Sequence, residues 1–160
     1  MTTMTKTKIN HHLTDDLIMA YSAGLLPEAV NLIVATHLSL CDTCRAAVEA
    51  QDAVGGAVLE NAGTADVTDA CLAGALDMIR GGDWTAPQRS ARRRDPILPG
   101  PLADYIGGSL DTVKWRPVGM GVRQAVVPTS TDATARLLHI PAGTALPDHG
   151  HRGMELTLVL

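Results

Sequence analysis

Phenylalanine is absent from the chain, and only two Trp and two Tyr occur in its 160 residues. A core must therefore be built from Leu, Val, Ile, Ala and Met. Aromatic platforms for stacking nucleobases are excluded as a main mode of action. Long apolar runs are missing as well. The longest candidate, NLIVATHLSL at 31–40, falls well short of the roughly 20 apolar residues that span a bilayer, and it carries His37 inside it. No apolar stretch follows the lysines of the opening MTTMTKTKIN. The expectation is a cytosolic protein with no signal peptide and no membrane association. There is no Gly-x-Ser-x-Gly elbow and no phosphate-cradling glycine loop, so the usual nucleophilic and nucleotide-binding chemistries are unsupported. No catalytic set is expected.

Cysteine is scarce too, at three residues, beside six His. Yet one His and two Cys crowd into THLSLCDTCRA at 36–46, as His37-x3-Cys41-x2-Cys44. In a reducing compartment a Cys-x2-Cys pair points to metal binding or redox chemistry before a structural disulfide.

Apolar residues make up 46% of the chain and charged residues 19%, the balance of a folded protein. The length suits one ordinary domain or two small ones. Net charge is −4, but unevenly spread. Residues 1–80 hold ten acidic and four basic side chains, and residues 81–160 hold seven and nine. An acidic first half repels nucleic acid and suits a basic protein partner.

Residues 14–24 read as a short helix capped by Thr14, with Asp15 and Asp16 at its positive start and Gly24 at its stop. Pro27 fits the first turn of a second helix. Val30, Ile33, Val34, His37, Leu38 and Cys41 form one stripe along it. Residues 45–60 read as a third helix with Ala47, Val48, Val54 and Val58 inward, and 66–80 as a fourth with Leu72, Ala75, Leu76 and Ile79 on one face. Residues 81–101, rich in Gly, Pro and Arg, read as a linker. Its Arg92-Arg93-Arg94 run reads as solvated before it reads as a nucleic-acid patch. Beyond it, VKWRPV, VRQAVVPT and TARLLHIPAG read as strands of an all-β unit. The expected class is α+β.

A His and a Cys four apart on a helix stand one above the other, so His37 and Cys41 can reach one ion, and Cys44 can return to it from the next turn. Structural zinc is tetrahedral and closed, so a fourth ligand is needed. His11 and His12 are the upstream candidates. The competing readings are a buried His with two core cysteines, or a metal-free dithiol switch.

HLSLCDTC, with an upstream His and four short helices, resembles the zinc-binding anti-sigma factors, and the run HHLTDDLIMAYSAGLLPEAVNLIVATHLSLCDTCRA resembles more narrowly those of the ChrR type. The resemblance implies a zinc ion held by His12, His37, Cys41 and Cys44, with His12 rather than His11 as the ligand. It implies an anti-sigma domain at 1–80 that clamps an ECF-type sigma factor and keeps it from RNA polymerase. The apolar residues of the first and fourth helices, including Leu17, Leu72 and Leu76, are the first candidates for that interface. The acidic half fits, since sigma factors present basic DNA-binding surfaces.

The chain ends PDHGHRGMELTLVL, where His149-x-His151-x3-Glu155 can face one side of a strand. His2Glu suits zinc, iron or manganese. The alternative is three polar residues on the wet face of a strand. The run resembles the first motif of cupins, which ChrR-type proteins carry after the anti-sigma domain. That places residues 102–160 in a cupin-like unit with His149, His151 and Glu155 as metal ligands. The resemblance ties it to sensing singlet oxygen or organic peroxides. A cupin also draws a further His from a motif well downstream, and His139 lies upstream of the first motif. The expectation is a truncated cupin-like unit with an incomplete second site. Two rivals remain in view: a cupin dioxygenase or isomerase with a helical appendage, and a DNA-binding zinc finger, the latter disfavoured by the acidic first half.

Overall fold

The computed structural model describes residues 9–82, 95–145, 150 and 153–160. The fold is α+β: helices come first and a small antiparallel sheet follows.

Helix α1 spans Asp15–Ser22. Thr14 caps it, its hydroxyl oxygen accepting the Leu17 N–H at 3.4 Å, while Asp15 and Asp16 face the positive end of the helix. The chain leaves through Gly24 at φ +68. Helix α2 spans Glu28–Leu38, and Pro27 is its N-cap rather than part of its first turn. Helix α3, Asp42–Glu60, begins three residues earlier than the periodicity predicts. The apolar period is silent over Asp42-Thr43, but an Asp in the first turn favours a helix start. Helix α4 spans Asp69–Arg80.

One apolar cluster holds α1, α2 and α3 together. Ile18, Val34, Leu38, Cys41, Cys44 and Val48 are buried in it, with Ile9, Leu13, Tyr21 and Ile33 among the residues packed around them. Val34 is fully buried. Two of the six central side chains are thus cysteines, in a cluster whose single aromatic is Tyr21. A core of this size supplies little stability alone, and small units of this kind depend on a staple.

The far end of α3 departs from expectation. Val54 and Val58, predicted to point inward, are 60% and 68% exposed. Every residue of α3 beyond Gln51 and every residue of α4 is exposed. The apolar period is real there, but among the described residues nothing in the chain covers it.

A fifth helix, α5 (Gly100–Ile106), starts inside the stretch read as linker, at its last two residues, and runs beyond it. Pro99 and Pro101 suggested a loop, yet proline suits a helix start because the first N–H groups lack intrahelical partners anyway. The helix ends at Gly107, φ 92. It packs on α2, burying Leu102 and Ala103. A short 3₁₀ turn, Leu110–Thr112, leads to the sheet.

Strands β1 (Arg116–Gly119), β2 (Val122–Val127) and β3 (Ala135–His139) pair antiparallel in the order β1-β2-β3. β2 and β3 fall within the runs VRQAVVPT and TARLLHIPAG that read as strands, and β1 overlaps VKWRPV but runs one residue past it to Gly119. Central β2 buries Val122, Ala125 and Val127. Gln124 faces Leu138 and Ala125 faces Leu137 across the β2–β3 ladder. Met120 and Gly121 form the two-residue β1–β2 connection, with φ 52 and φ 76. Both central residues are left-handed, the pattern of the hairpin turn that favours Asn-Gly. Methionine is strained at the first of these positions. Met120→Asn should therefore raise stability by roughly 0.5–1 kcal/mol, read as a higher thermal midpoint with no change in far-UV dichroism.

Candidate metal centre

The cluster of soft ligands is assembled by one reversal of the chain. Helix α2 ends at Leu38, but the Cys41 N–H still donates to the His37 carbonyl at 2.9 Å. That bond has the spacing of an α-helical turn, so His37 and Cys41 keep their i, i+4 relation past the helix end. Cys41 then turns extended, φ −112 and ψ 105, and serves as the N-cap of α3. Its carbonyl accepts the Arg45 N–H at 3.1 Å, starting the new helix. Cys44 sits in the first turn of α3 and points back toward His37. Arg45 braces the reversal, donating from Nη1 to the Leu38 carbonyl at 3.4 Å and from Nη2 to Asp42 Oδ1 at 2.5 Å.

The fourth member comes from the segment before α1. Cys41 Sγ lies 3.3 Å and Cys44 Sγ 3.6 Å from His12 Nδ1, and His37 Nε2 lies 3.3 Å from Cys44 Sγ. All four potential ligand atoms lie within 4.8 Å of one another. Tetrahedral zinc, with bonds of about 2.3 Å to sulfur and about 2.0 Å to nitrogen, sets its S and N ligands about 3.5 Å apart. The donor set and its spacing fit such an ion. His11, next in sequence, is exposed and outside the group. Cys71 is exposed on α4 and outside it too.

Burial sets the protonation of the cluster. His37 is 8% exposed, Cys41 3% and Cys44 2%, while His12 forms the solvent side. Burial, reinforced by the charge of nearby His12, pushes the His37 imidazole below its ordinary value. Burial first, and then the neighbouring Cys41, pushes the Cys44 thiol up, partly offset by the Leu13 backbone N–H, which donates to its sulfur at 3.3 Å. That N–H anchors the segment bearing His12 to α3. No sequence pattern marks it, because it is a backbone group brought in from 31 residues away.

These directions fix the pH behaviour of the metal-free helices. A neutral His37 is favoured in the fold, so the unfolded chain takes up the proton more readily and stability falls as pH drops below about 6.5. A protonated Cys44 is favoured in the fold, so stability also falls as pH rises above about 9.0. With metal bound, protons compete for all four ligands, so acid should release it. Titrating from pH 8 to about 5 should free the ion and lower the helical dichroism together. A metal retained at the acidic end would contradict the cluster as its site.

His149 and His151 lie outside the described residues, and Glu155 is exposed.

No family model matches the chain. It is 54% identical over 153 residues to the anti-sigma-E factor ChrR of Cereibacter sphaeroides, covering 95% of this chain and 70% of that protein. It also resembles a chain in the crystal structure of Rhodobacter sphaeroides SigE in complex with the anti-sigma ChrR. There the TM-score is 0.76 and the identity 48%, covering 92% of this chain and 78% of the other.

Proposed function

The chain belongs to the ChrR family of anti-sigma factors, and from that membership we propose that it sequesters an ECF-type sigma factor by direct protein–protein contact. The observation that carries this reading is the pairing of a tight four-ligand cluster with apolar side chains left uncovered along the far end of α3 and along α4. Leu72, Leu76 and Ile79 of α4 and Val54, Val58 and Leu59 of α3 are exposed, at 37% to 77%. An apolar surface of this kind is a feature of interaction sites. Leu17 on α1, half-buried, extends the candidate set.

Zinc would be held by His12 Nδ1, His37 Nε2, Cys41 Sγ and Cys44 Sγ. Bound there, it supplies a fixed cross-link and no redox chemistry of its own. The ligands belong to three separate pieces: the lead-in to α1, the end of α2 and the start of α3. Closing them on one ion fixes the angle between α2 and α3 and holds the His12 segment over the core. The core cluster then needs no large aromatic side chain to define it.

The proposal extends to the rest of the chain. The sheet would belong to a cupin-like unit over 102–160, joined through 81–101 to an anti-sigma domain at 1–80. A second divalent metal would be held by His149, His151 and Glu155. That unit would receive an oxidative signal, singlet oxygen or an organic peroxide, and so free the sigma factor in the cytoplasm. Among the described residues no helix is long and apolar enough to cross a membrane.

Co-expression with candidate ECF sigma factors, affinity capture of the chain and metal analysis of the complex test the reading. The expected outcome is a one-to-one complex that carries zinc. Capture of no sigma factor would sink it. The choice between the adjacent histidines is tested in the same assay. His12→Ala should lose zinc and partner, while His11→Ala should keep both.

A further inference from the structure

The strongest feature outside the metal centre is a single carboxylate. Glu28 lies in the first turn of α2. Its Oε1 accepts a hydrogen bond from the Tyr105 hydroxyl of α5, and its Oε2 accepts the Ser130 backbone N–H at 2.5 Å. Ser130 belongs to the connection between β2 and β3, 102 positions further along the chain. Both donors hold the Glu28 carboxyl below its ordinary range, the Tyr105 hydroxyl most, and the same bond raises Tyr105. Around this point Ala29, Leu102 and Ala103 are buried, yet none belongs to the core cluster at the metal site. The α2–α5 contact is therefore a separate apolar seam, small and edged by exposed polar groups.

We propose that Glu28 is the joint by which the sheet-bearing part of the chain docks on the metal-bearing helices, and that this docking is a separable equilibrium between a closed and an open arrangement. Three arguments support it. The carboxylate uses both oxygens, one on α5 and one on the sheet connection, so one residue links three elements. The seam it closes buries few side chains, so opening it exposes little apolar surface, as expected of a contact that releases before the core does. Finally, α2 is a continuous rod with Glu28 in its first turn and His37 in its last. What seats the sheet and what helps shape the metal cluster are thus two ends of one helix. The joint rests on the anti-sigma reading only for its purpose, which is to pass a change in the sheet-bearing part to the unit that grips the sigma factor. Its existence does not depend on that reading.

The test is amide hydrogen exchange on the full chain, free and in complex with the captured sigma factor, for wild type, Tyr105→Phe and Glu28→Ala. Tyr105→Phe removes one of the two bonds and Glu28→Ala removes both. Exchange at Ser130 and across 102–106 should rise about tenfold or more in Glu28→Ala and by less in Tyr105→Phe, while amides of 34–48 keep their protection and zinc content is unchanged. Unchanged exchange at Ser130 and α5 would overturn the joint. An equal rise throughout α1, α2 and α3 would also overturn it, since Glu28 would then be an ordinary folding contact. Failure of the wild-type chain to bind any sigma factor would count against the functional reading alone, because the exchange pattern of the free chain would still report the joint.

Discussion

Cys41→Ala should abolish zinc binding and, with it, the hold on the sigma factor. The reasoning is energetic. Zinc bound at structural Cys/His sites contributes about 10–16 kcal/mol of apparent binding free energy in small peptides near neutral pH. A whole small domain is stable by only about 5–15 kcal/mol. The core shared by α1, α2 and α3 has six buried residues at its centre, and two of them are the cysteines themselves. Losing one ligand therefore removes both the cross-link and part of the packing. Far-UV dichroism should show lost helix, metal analysis should show near-complete loss of zinc, and the affinity for the sigma factor should fall at least a hundredfold, about 2.7 kcal/mol. Cys41→Ser keeps the size of the side chain and should fail in the same way, which separates loss of the metal from loss of packing. A Cys41→Ala protein that stays cooperatively folded and still captures its partner would refute the zinc-staple account.

The second large effect is expected without any unfolding. Leu72 is 61% exposed and Leu76 37% exposed, one turn apart on α4. The double variant Leu72→Gln/Leu76→Gln removes apolar surface but keeps helix propensity nearly constant. Stability should change by no more than about 0.5 kcal/mol per site, as at other exposed positions. Binding should weaken by roughly thirtyfold or more, about 2 kcal/mol, if these leucines are anchors of the interface. Isothermal titration against the captured sigma factor reads the affinity, and thermal unfolding reads the fold. An affinity within twofold of wild type would move the interface elsewhere.

The parts of this structure that the sequence discloses are those set by neighbours in the chain. Thr14, Asp15 and Asp16 mark a helix start because capping is local. His37 and Cys41 meet because a helical turn brings residues four apart together. The three strands stand out because β-branched runs between Pro and Gly have few other uses. The pairing of His12 with Cys41, over 29 positions, has no local signature; spacing alone left His11 and His12 equal. Val54 and Val58 show the limit from the other side. Periodicity reports that a helix has an apolar face, but not whether the covering surface belongs to the same chain. Helix α5 went unread because proline marks both the end of regular structure and the first turn of a helix. Glu28 was unreadable for a simpler reason: a lone acid in a first helical turn is commonplace, and its two partners lie 77 and 102 positions away.

The reversal at Cys41 carries an implication for what the chain can tolerate. Between His37 and Cys44 one helix closes and another opens with no slack, and the same eight residues hold three of the four soft ligands. Adding or deleting a single residue there would swing the downstream side chain by about 100° around the axis and carry a sulfur out of reach. The exposed stretch at 61–68 between α3 and α4 is under no such constraint. Length variation should therefore accumulate in that stretch and be forbidden at the elbow, so the first separates dispensable spacer from calibrated part.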